Sequence, residues 1–521
     1  MLALARSGDA KARCEVAQRY LLGSDGFPRH FASAVEYLSL AAVLALPEAA
    51  RVVAECMTLN EILQARLLGA LERAAEAGLA VAQAKLGAWR LVRHVGSDSG
   101  IKLLRAAARQ GQFAAQAALE PLDDGQDLPA PVPALQLALQ AMARHQMLDP
   151  LALARAGADD ALAAADLHST CTALAAALAL GEPACGEVAD QVVRAIDMAE
   201  AAGQLPPSLA APVVEPVLEA RACAGDRVAA YALGRALCGI PLGGLPARAI
   251  AEGQNIRKGA ALLLRAADAG RDEAWLHLYR LHADHQLSVA NPQMARFFLE
   301  KAASSGLPEA QRMLGALLLR GASTLQDSEQ ALGWLHQAAL HGDPLARVLQ
   351  RSLLLPLEGD DDEAEAAIAA VEGHDRWLAA RLRIARDFGL TKLEALCFDP
   401  VSGRRPWGLV VGKNPFISQI RLSAPRAIPA LTAQALQHLN SAGELFERHA
   451  GEADRHEGDL RRRSLTQRRL FARLGLHEPM FFAVVSSDAL DSFRLGSKWA
   501  HRARQPLRMA LAETPQAVDA G

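Results

Sequence analysis

Residues 306–315 read GLPEAQRMLG and residues 331–342 read ALGWLHQAALHG. The stretch before them has the same layout, GRDEAWL at 270–276 and ARFFLEKAASSG at 295–306. Gly270, Gly306 and Gly342 are therefore spaced 36 residues apart. A fixed period of this length is the signature of stacked helix pairs. Each part of the pattern has a physical reason. A glycine at the end of the second helix supplies the left-handed cap that stops it. The paired alanines just before it, Ala302-Ala303 and Ala338-Ala339, let helices approach closely. Phe298 and Trp334 occupy one slot in successive units, on the face that fills the core between repeats. A single helix pair is too small to fold alone, so neighbours must stack.

The register extends in both directions. Upstream, GDRVAAYALG at 225–234 opens a longer unit that closes at Gly270, 45 residues after Gly225. At the N-terminus, Gly8-Asp9-Ala10 opens a helix, and Ala34, Tyr37, Leu38, Ala41 and Ala42 mark its partner. Leu46-Pro47-Glu48-Ala49 replaces the glycine junction there. Gly78 and Gly111, 33 residues apart, bound another unit.

These segments resemble the Sel1-like repeat family, relatives of tetratricopeptide repeats, over roughly residues 3–118 and 219–352. The resemblance implies an all-α, right-handed superhelical α/α solenoid of helix pairs. It also implies a bacterial protein that brings other proteins together. The structural residues of the pattern are Gly225, Gly270, Phe298, Gly306, Trp334 and Gly342. Between about 125 and 218 the chain stays rich in Ala and Leu, but Pro129, Pro131, Pro133, Pro206, Pro207, Pro212 and Pro216 break it into degenerate helical pieces.

Composition agrees with helices. Of the 521 residues 51% are apolar but only 4% aromatic, so Ala and Leu dominate and strand-filling residues are scarce. With 55 basic and 58 acidic residues the formal net charge is −3, which gives no global pull toward nucleic acid or an anionic membrane. The seven cysteines, Cys14, Cys56, Cys171, Cys185, Cys223, Cys238 and Cys397, form no CxxC pair and read as small buried hydrophobes in a reducing compartment. The start, MLALARSGDAKAR, is not a signal peptide, the residues before Cys14 do not form a lipoprotein cleavage site, and no apolar run spans a bilayer. A cytoplasmic location is expected.

The character of the chain changes near residue 396. Trp407–Val411, Phe416–Leu422 and Met480–Val485 read as strands, with helical segments about 430–450 and 458–475 between them. The expected organisation is repeats at 1–120, degenerate helical repeats at 121–218, repeats at 219–355, an acidic linker and helix at 356–395, and a small α+β module at 396–521. The acidic run 358–363 reads as a linker or a helix N-terminus.

Chemical motifs are thin. Gly408–Asn414 lacks the spacing and the Ser or Thr of a phosphate loop. No GxSxG elbow or HExxH helix occurs. His277, His282 and His285 lack a further placed ligand, and His449, Glu452, Asp454 and His456 read as a solvated loop. No catalytic, cofactor-binding or metal residue is assigned, and no cofactor or small-molecule substrate is expected. The strongest local feature is basic: Arg461, Arg462, Arg463, Arg468, Arg469 and Arg473, with Arg462, Arg469 and Arg473 nearer one side of a helix. Such a patch suits an acidic protein surface. Nearby acids and the single interleaved aromatic, Phe471, speak against nucleic acid. The expected function is a non-enzymatic scaffold or adaptor with protein partners. The alternatives are an enzyme with an unrecognised site in the C-terminal module, and a nucleic-acid-associated regulator using the arginine-rich helix.

Overall fold

Gly225, Gly270, Gly306 and Gly342 adopt φ of 96°, 87°, 94° and 91°, the left-handed region in which a Cβ is penalised. The following helix begins two residues later, or three after Gly270. Asp9, Asp226 and Asp343 are N-caps whose carboxylates accept from backbone N–H groups of the first turn. After Gly306 no side chain caps the helix, and Pro308 at the first helical position instead removes one of the N–H groups that would need a partner. These details come from a computed structural model, which describes residues 1–94, 97–123, 131–184, 186–412, 425–485 and 504–512.

Two further register positions explain the repeat pattern. Four residues after each junction glycine stands a buried alanine: Ala12, Ala82, Ala229, Ala274, Ala310 and Ala346. Nine residues after it, Gly87, Gly234 and Gly315 mark where the two helices of a repeat cross. A Cβ on Gly234 would lie 3.0 Å from Leu263 Cγ and 3.1 Å from the Gly259 carbonyl oxygen, and one on Gly315 would lie 3.0 Å from the Ala331 carbonyl oxygen. The second helices begin at Asn255, Asn291 and Thr324, whose side chains cap them. The backbone N–H groups of Asn255 and Asn291 donate to Leu237 and His282 carbonyls of the first helix, each at 2.9 Å, which fixes the turn.

The chain divides into two units. The first comprises residues 1–274 and 287–289, and among its described residues the regular elements are all helical. Its middle contains helices Pro131–Arg144, Pro150–Ala163, Leu167–Ala179, Val188–Ala202 and Ala211–Cys223. Pro131, Pro133, Pro150 and Pro212 sit in first turns, where a missing N–H costs nothing. Pro216 lies deeper, inside Ala211–Cys223, and does not end that helix.

The second unit comprises residues 275–286 and 290–521. Helices Pro292–Ser304, Pro308–Gly321, Leu325–Leu340 and Pro344–Arg351 continue the repeats. Helices Asp361–Glu372, Arg376–Phe388 and Lys392–Cys397 follow. Asp360 caps the first of these and Asp361, Asp362 and Glu363 fill its first turn, so the acidic run is a helix N-terminus. Three antiparallel strands come next, β1 (Arg404–Arg405), β2 (Gly408–Val411) and β3 (Arg426–Pro429), in that order, with Leu409 opposite Ile428. Helices Ala433–Arg448, Ala450–Glu457 and Leu460–Leu474 (the arginine helix) and a terminal helix, Arg504–Leu511, complete the unit.

β2 is buried on both faces. Leu409, Val411 and Ile428 join a core with Phe388, Leu390, Leu439, Phe471 and Phe481. Trp407 and Val410 enter a different core, with Leu332, Leu335 and Leu349 of the repeats and Leu507 and Ala510 of the terminal helix. The change of composition at 396 is therefore not a change of packing.

One expected strand is not formed. Residues 478–480 make a 3-10 turn, and Phe481 and Phe482 after it are both buried and, among the described residues, have no ladder partner. Their rings pack on Phe471 at 5.2 and 6.2 Å, and Phe481, Phe482 and Ala483 are buried in succession while Val484 is exposed, so the segment does not show the alternation of a half-buried strand. The expected strand Phe416–Leu422, and Lys413, Asn414 and Cys185, lie outside the described residues.

Candidate functional site

The arginine helix starts at Asp459, whose carboxylate accepts from the Arg462 N–H at 2.9 Å, and stops at Gly475 with φ 65°. Its inner face is set by Leu460, Gln467, Leu470, Phe471 and Leu474, packed on or within the second unit's core. That register turns Arg461, Arg462, Arg468, Arg469 and Arg473 outward, all exposed, around Leu465, which is 47% exposed. Among the described residues none of these five arginines forms an ion pair, whereas Arg376, Arg383, Arg386, Arg404 and Arg405 in the same unit all pair with carboxylates.

Arg463 belongs to a different structure. It faces inward, donates to the Leu396 carbonyl at 2.9 Å and lies 3.4 Å from Glu457. Glu457 is held two-pronged by Arg381, at 2.6 and 2.9 Å. Arg381 also donates to the Ala395 and Phe398 carbonyls and lies over the Phe446 ring. This buried network anchors the arginine helix to the helices beneath it. A second buried pair, Glu394 with Arg426 at 2.7 and 3.0 Å, ties helix Lys392–Cys397 to β3. Burial pushes the Glu394 carboxyl up, but Arg426 and the Thr391 hydrogen bonds outweigh it and hold it below the usual carboxylate range.

The histidine clusters are divided among structural contacts. The His282 ring packs against Phe298 at 5.0 Å, while His285 lines a groove of about 600 Å³ with Tyr279, Pro292, Arg296, Arg320 and Asp327. Tyr279 stands where other repeats carry the crossing glycine. His449 approaches Glu452 at 3.3 Å, and His456 pairs with Asp375, the N-cap of Arg376–Phe388, at 3.1 Å. The Asp454 side chain lies outside the described residues. Among the described residues no group of three or more His, Cys, Asp or Glu side chains is gathered as a metal site would require. Among them, too, no helix is long and apolar enough to cross a membrane.

Phe298 is fully enclosed, with Trp275 and Phe297 at 5.9 and 5.6 Å. Trp334 is half-buried and packs on the edge of the cluster that contains Leu299, Met313 and Leu314. The two rings share a sequence slot but not a degree of burial.

Of the buried cations that the sequence did not single out, Lys85 and Arg312 are held by main-chain carbonyls of another helix. Lys85 Nζ donates to the Ala54 and Met57 carbonyls, both at 2.6 Å, at the end of helix Pro47–Cys56. Arg312 is fully buried and donates to the Asp343 carboxylate at 2.9 Å and to the Ala510 and Ala512 carbonyls at the end of the terminal helix. The signal for Arg312 was present. The sixth residue after the other junction glycines is Cys14, Ala84, Tyr231, Leu276 or Val348, never a charge.

Capped helix pairs with alanine and glycine at their crossings define an all-α helical-repeat protein with a small strand-bearing C-terminal part. Residues 10–42, 228–270, 282–307 and 308–343 match the Sel1 repeat model, and in those segments the chain is built of Sel1 repeats. Among solved structures, it is similar to a protective antigen, c5321, of uropathogenic Escherichia coli strains, described as displaying an SLR fold. That match is 17% identical, covers 99% of this chain and 97% of that one, and has a TM-score of 0.28. A Sel1 repeat protein from Oxalobacter formigenes matches at 20% identity over 63% of this chain and 91% of that one, with a TM-score of 0.26. No curated protein sequence matches the chain.

Proposed function

We propose that the protein is a bacterial, non-enzymatic scaffold or adaptor, and that the outer face of the arginine helix docks an acidic surface of a partner protein. Sel1 repeats are generally platforms for protein interaction, which supports the first part. The second part rests on one observation: Arg461, Arg462, Arg468, Arg469 and Arg473 surround exposed Leu465 and, among the described residues, form no ion pair. A rim of cations around an apolar centre suits a partner that offers carboxylates around an aliphatic contact.

The test uses an acidic probe peptide, alternating Glu and Leu, and a DNA duplex as competitor. The full chain binds the peptide at low salt and loses affinity several-fold at moderate salt, as screening requires. R462E/R469E abolishes binding and leaves the melting curve unchanged, because both side chains point outward. Equal binding by wild type and the double variant overturns the docking face. Tighter binding of the duplex than of the peptide replaces it with a nucleic-acid surface.

A further inference from the structure

The terminal helix Arg504–Leu511 lies against Pro308–Gly321 and Pro344–Arg351, the first helices of two successive repeats. Leu507 and Ala510, three residues apart and so on one face, are 4% and 0% exposed in the core that holds Leu319, Ala346 and Leu349. Arg504, Gln505, Arg508 and Met509 face outward. The groove ends in a built polar site. Asp343 accepts from Arg312 Nε at 2.9 Å and from the Ala346 N–H at 2.8 Å, which aims the guanidinium along the groove. Arg312 Nη1 then donates to the Ala510 carbonyl and, at 3.0 Å, to the Ala512 carbonyl. These are the acceptors a helix C-terminus leaves unmet, at the negative end of its dipole.

We propose that this groove is a helix-binding site and that residues 504–512 are its exchangeable, self-supplied occupant, displaced by a partner helix of the same pattern. That pattern is an aliphatic residue, a small residue three later, and a helix end within two residues of the small one. Three observations carry the proposal. The repeat does not require a charge at position 312, since the same register holds Cys14, Ala84, Tyr231, Leu276 and Val348 elsewhere. An eight-residue helix does not hold its conformation alone in water, so the order of this one derives from the groove. Only Leu507 and Ala510 are fully enclosed, a small apolar anchor for a segment meant to stay. As long as the occupant is covalently attached, a free helix competes against an intramolecular ligand and binds weakly. The groove is separate from the outer face of the arginine helix, so either proposal can fail alone.

The experiment uses the full chain carrying L507D, which expels the resident helix, and a fluorescent synthetic peptide of residues 504–512 with an amidated C-terminus. Fluorescence anisotropy is expected to show saturable binding to L507D, at least tenfold weaker binding to wild type, and loss of binding to L507D/R312Q. A peptide carrying L507D is expected not to bind. Equal binding to wild type and L507D, or no saturable binding to L507D, overturns the proposal. So does loss of the cooperative melt in L507D, which would make the terminal helix part of the core.

Discussion

Lys85 is a cation held by two carbonyl groups, with no carboxylate in contact among the described residues. Burial lowers its pKa from 10.5 to about 8, and the nearby Cys56, Glu61 and Glu55 only partly oppose this. Between those values the unfolded chain binds more protons than the folded one, so this lysine makes stability rise with pH from about 8 toward 10.5. The thiols of buried Cys14 and half-buried Cys56 act oppositely: burial raises them, so they cost stability as pH rises. The difference between wild type and K85M isolates the lysine. We expect wild type to gain on the order of 3 kcal/mol relative to K85M between pH 8 and 10.5, from a shift of about 2.5 units. Parallel urea midpoints for the two proteins across that window would remove this role. Glu394 acts in the same sense as Lys85 but in the acid range: burial is outweighed by Arg426, which holds its pKa down, so its contribution is present at neutral pH and is lost as pH falls through its folded value. The two aromatic slots give a ranking. F298A opens an enclosed site and costs about 3–5 kcal/mol, whereas W334A removes a half-buried ring and costs less. Thermal melts in which W334A is the more damaging would show that the two environments are reversed.

At the scale of the element, the sequence made the helix pairs legible because three independent signals coincide: a capping glycine, an N-capping Asp or a Pro after it, and an alanine four residues on. The role of the Leu-Gly step was not legible. A glycine inside a helix reads as a cost, and only the partner helix shows that Gly234 and Gly259 face each other across a crossing. The arginine helix divides in the same way. Its outer face follows from the spacing of Leu460, Gln467 and Phe471, but Arg463 sits on the inner face, and its carboxylate partner Glu457 lies on another helix. Met480–Val485 misled because two adjacent phenylalanines suit a strand by propensity, while in the fold a 3-10 turn precedes them and both rings pack on Phe471. A pair of substitutions separates crossing glycines from idle ones. Alanine is the better helix former by about 1 kcal/mol. G69A, where nothing lies within 4 Å of the added Cβ, should raise the melting temperature slightly. G234A meets Leu263 Cγ at 3.0 Å and a carbonyl oxygen at 3.1 Å, and should lower it despite the same propensity gain. If both substitutions stabilise the protein, the crossing has slack and the close approach is not what selects glycine.

At the scale of the whole molecule, the question is where the repeat array ends as a folding unit. The pattern in the sequence runs out near residue 352, and a chain stopping at Leu355 would contain every repeat helix. In the second unit that chain would not be self-sufficient. The last repeats share a core with Trp407 and Val410 from around and within β2 and with Leu507 and Ala510 from the terminal helix. Burying Trp407 and Val410 is worth roughly 1.5–3 kcal/mol each, a substantial share of what holds a domain of this size together. A repeat array needs a cap at its end because its last member has no following neighbour to cover it. Here the cap is supplied by residues more than fifty positions downstream. Hydrogen exchange on the chain ending at Leu355 should therefore show lost protection across Pro308–Arg351. Protection should persist in Arg227–Leu237 and Ile256–Asp268, whose crossing at Gly234 and Gly259 owes nothing to the missing residues. Unchanged protection in Pro308–Arg351 would mean that the repeats close their own end, and that Trp407 and Val410 are passengers on a surface already stable without them.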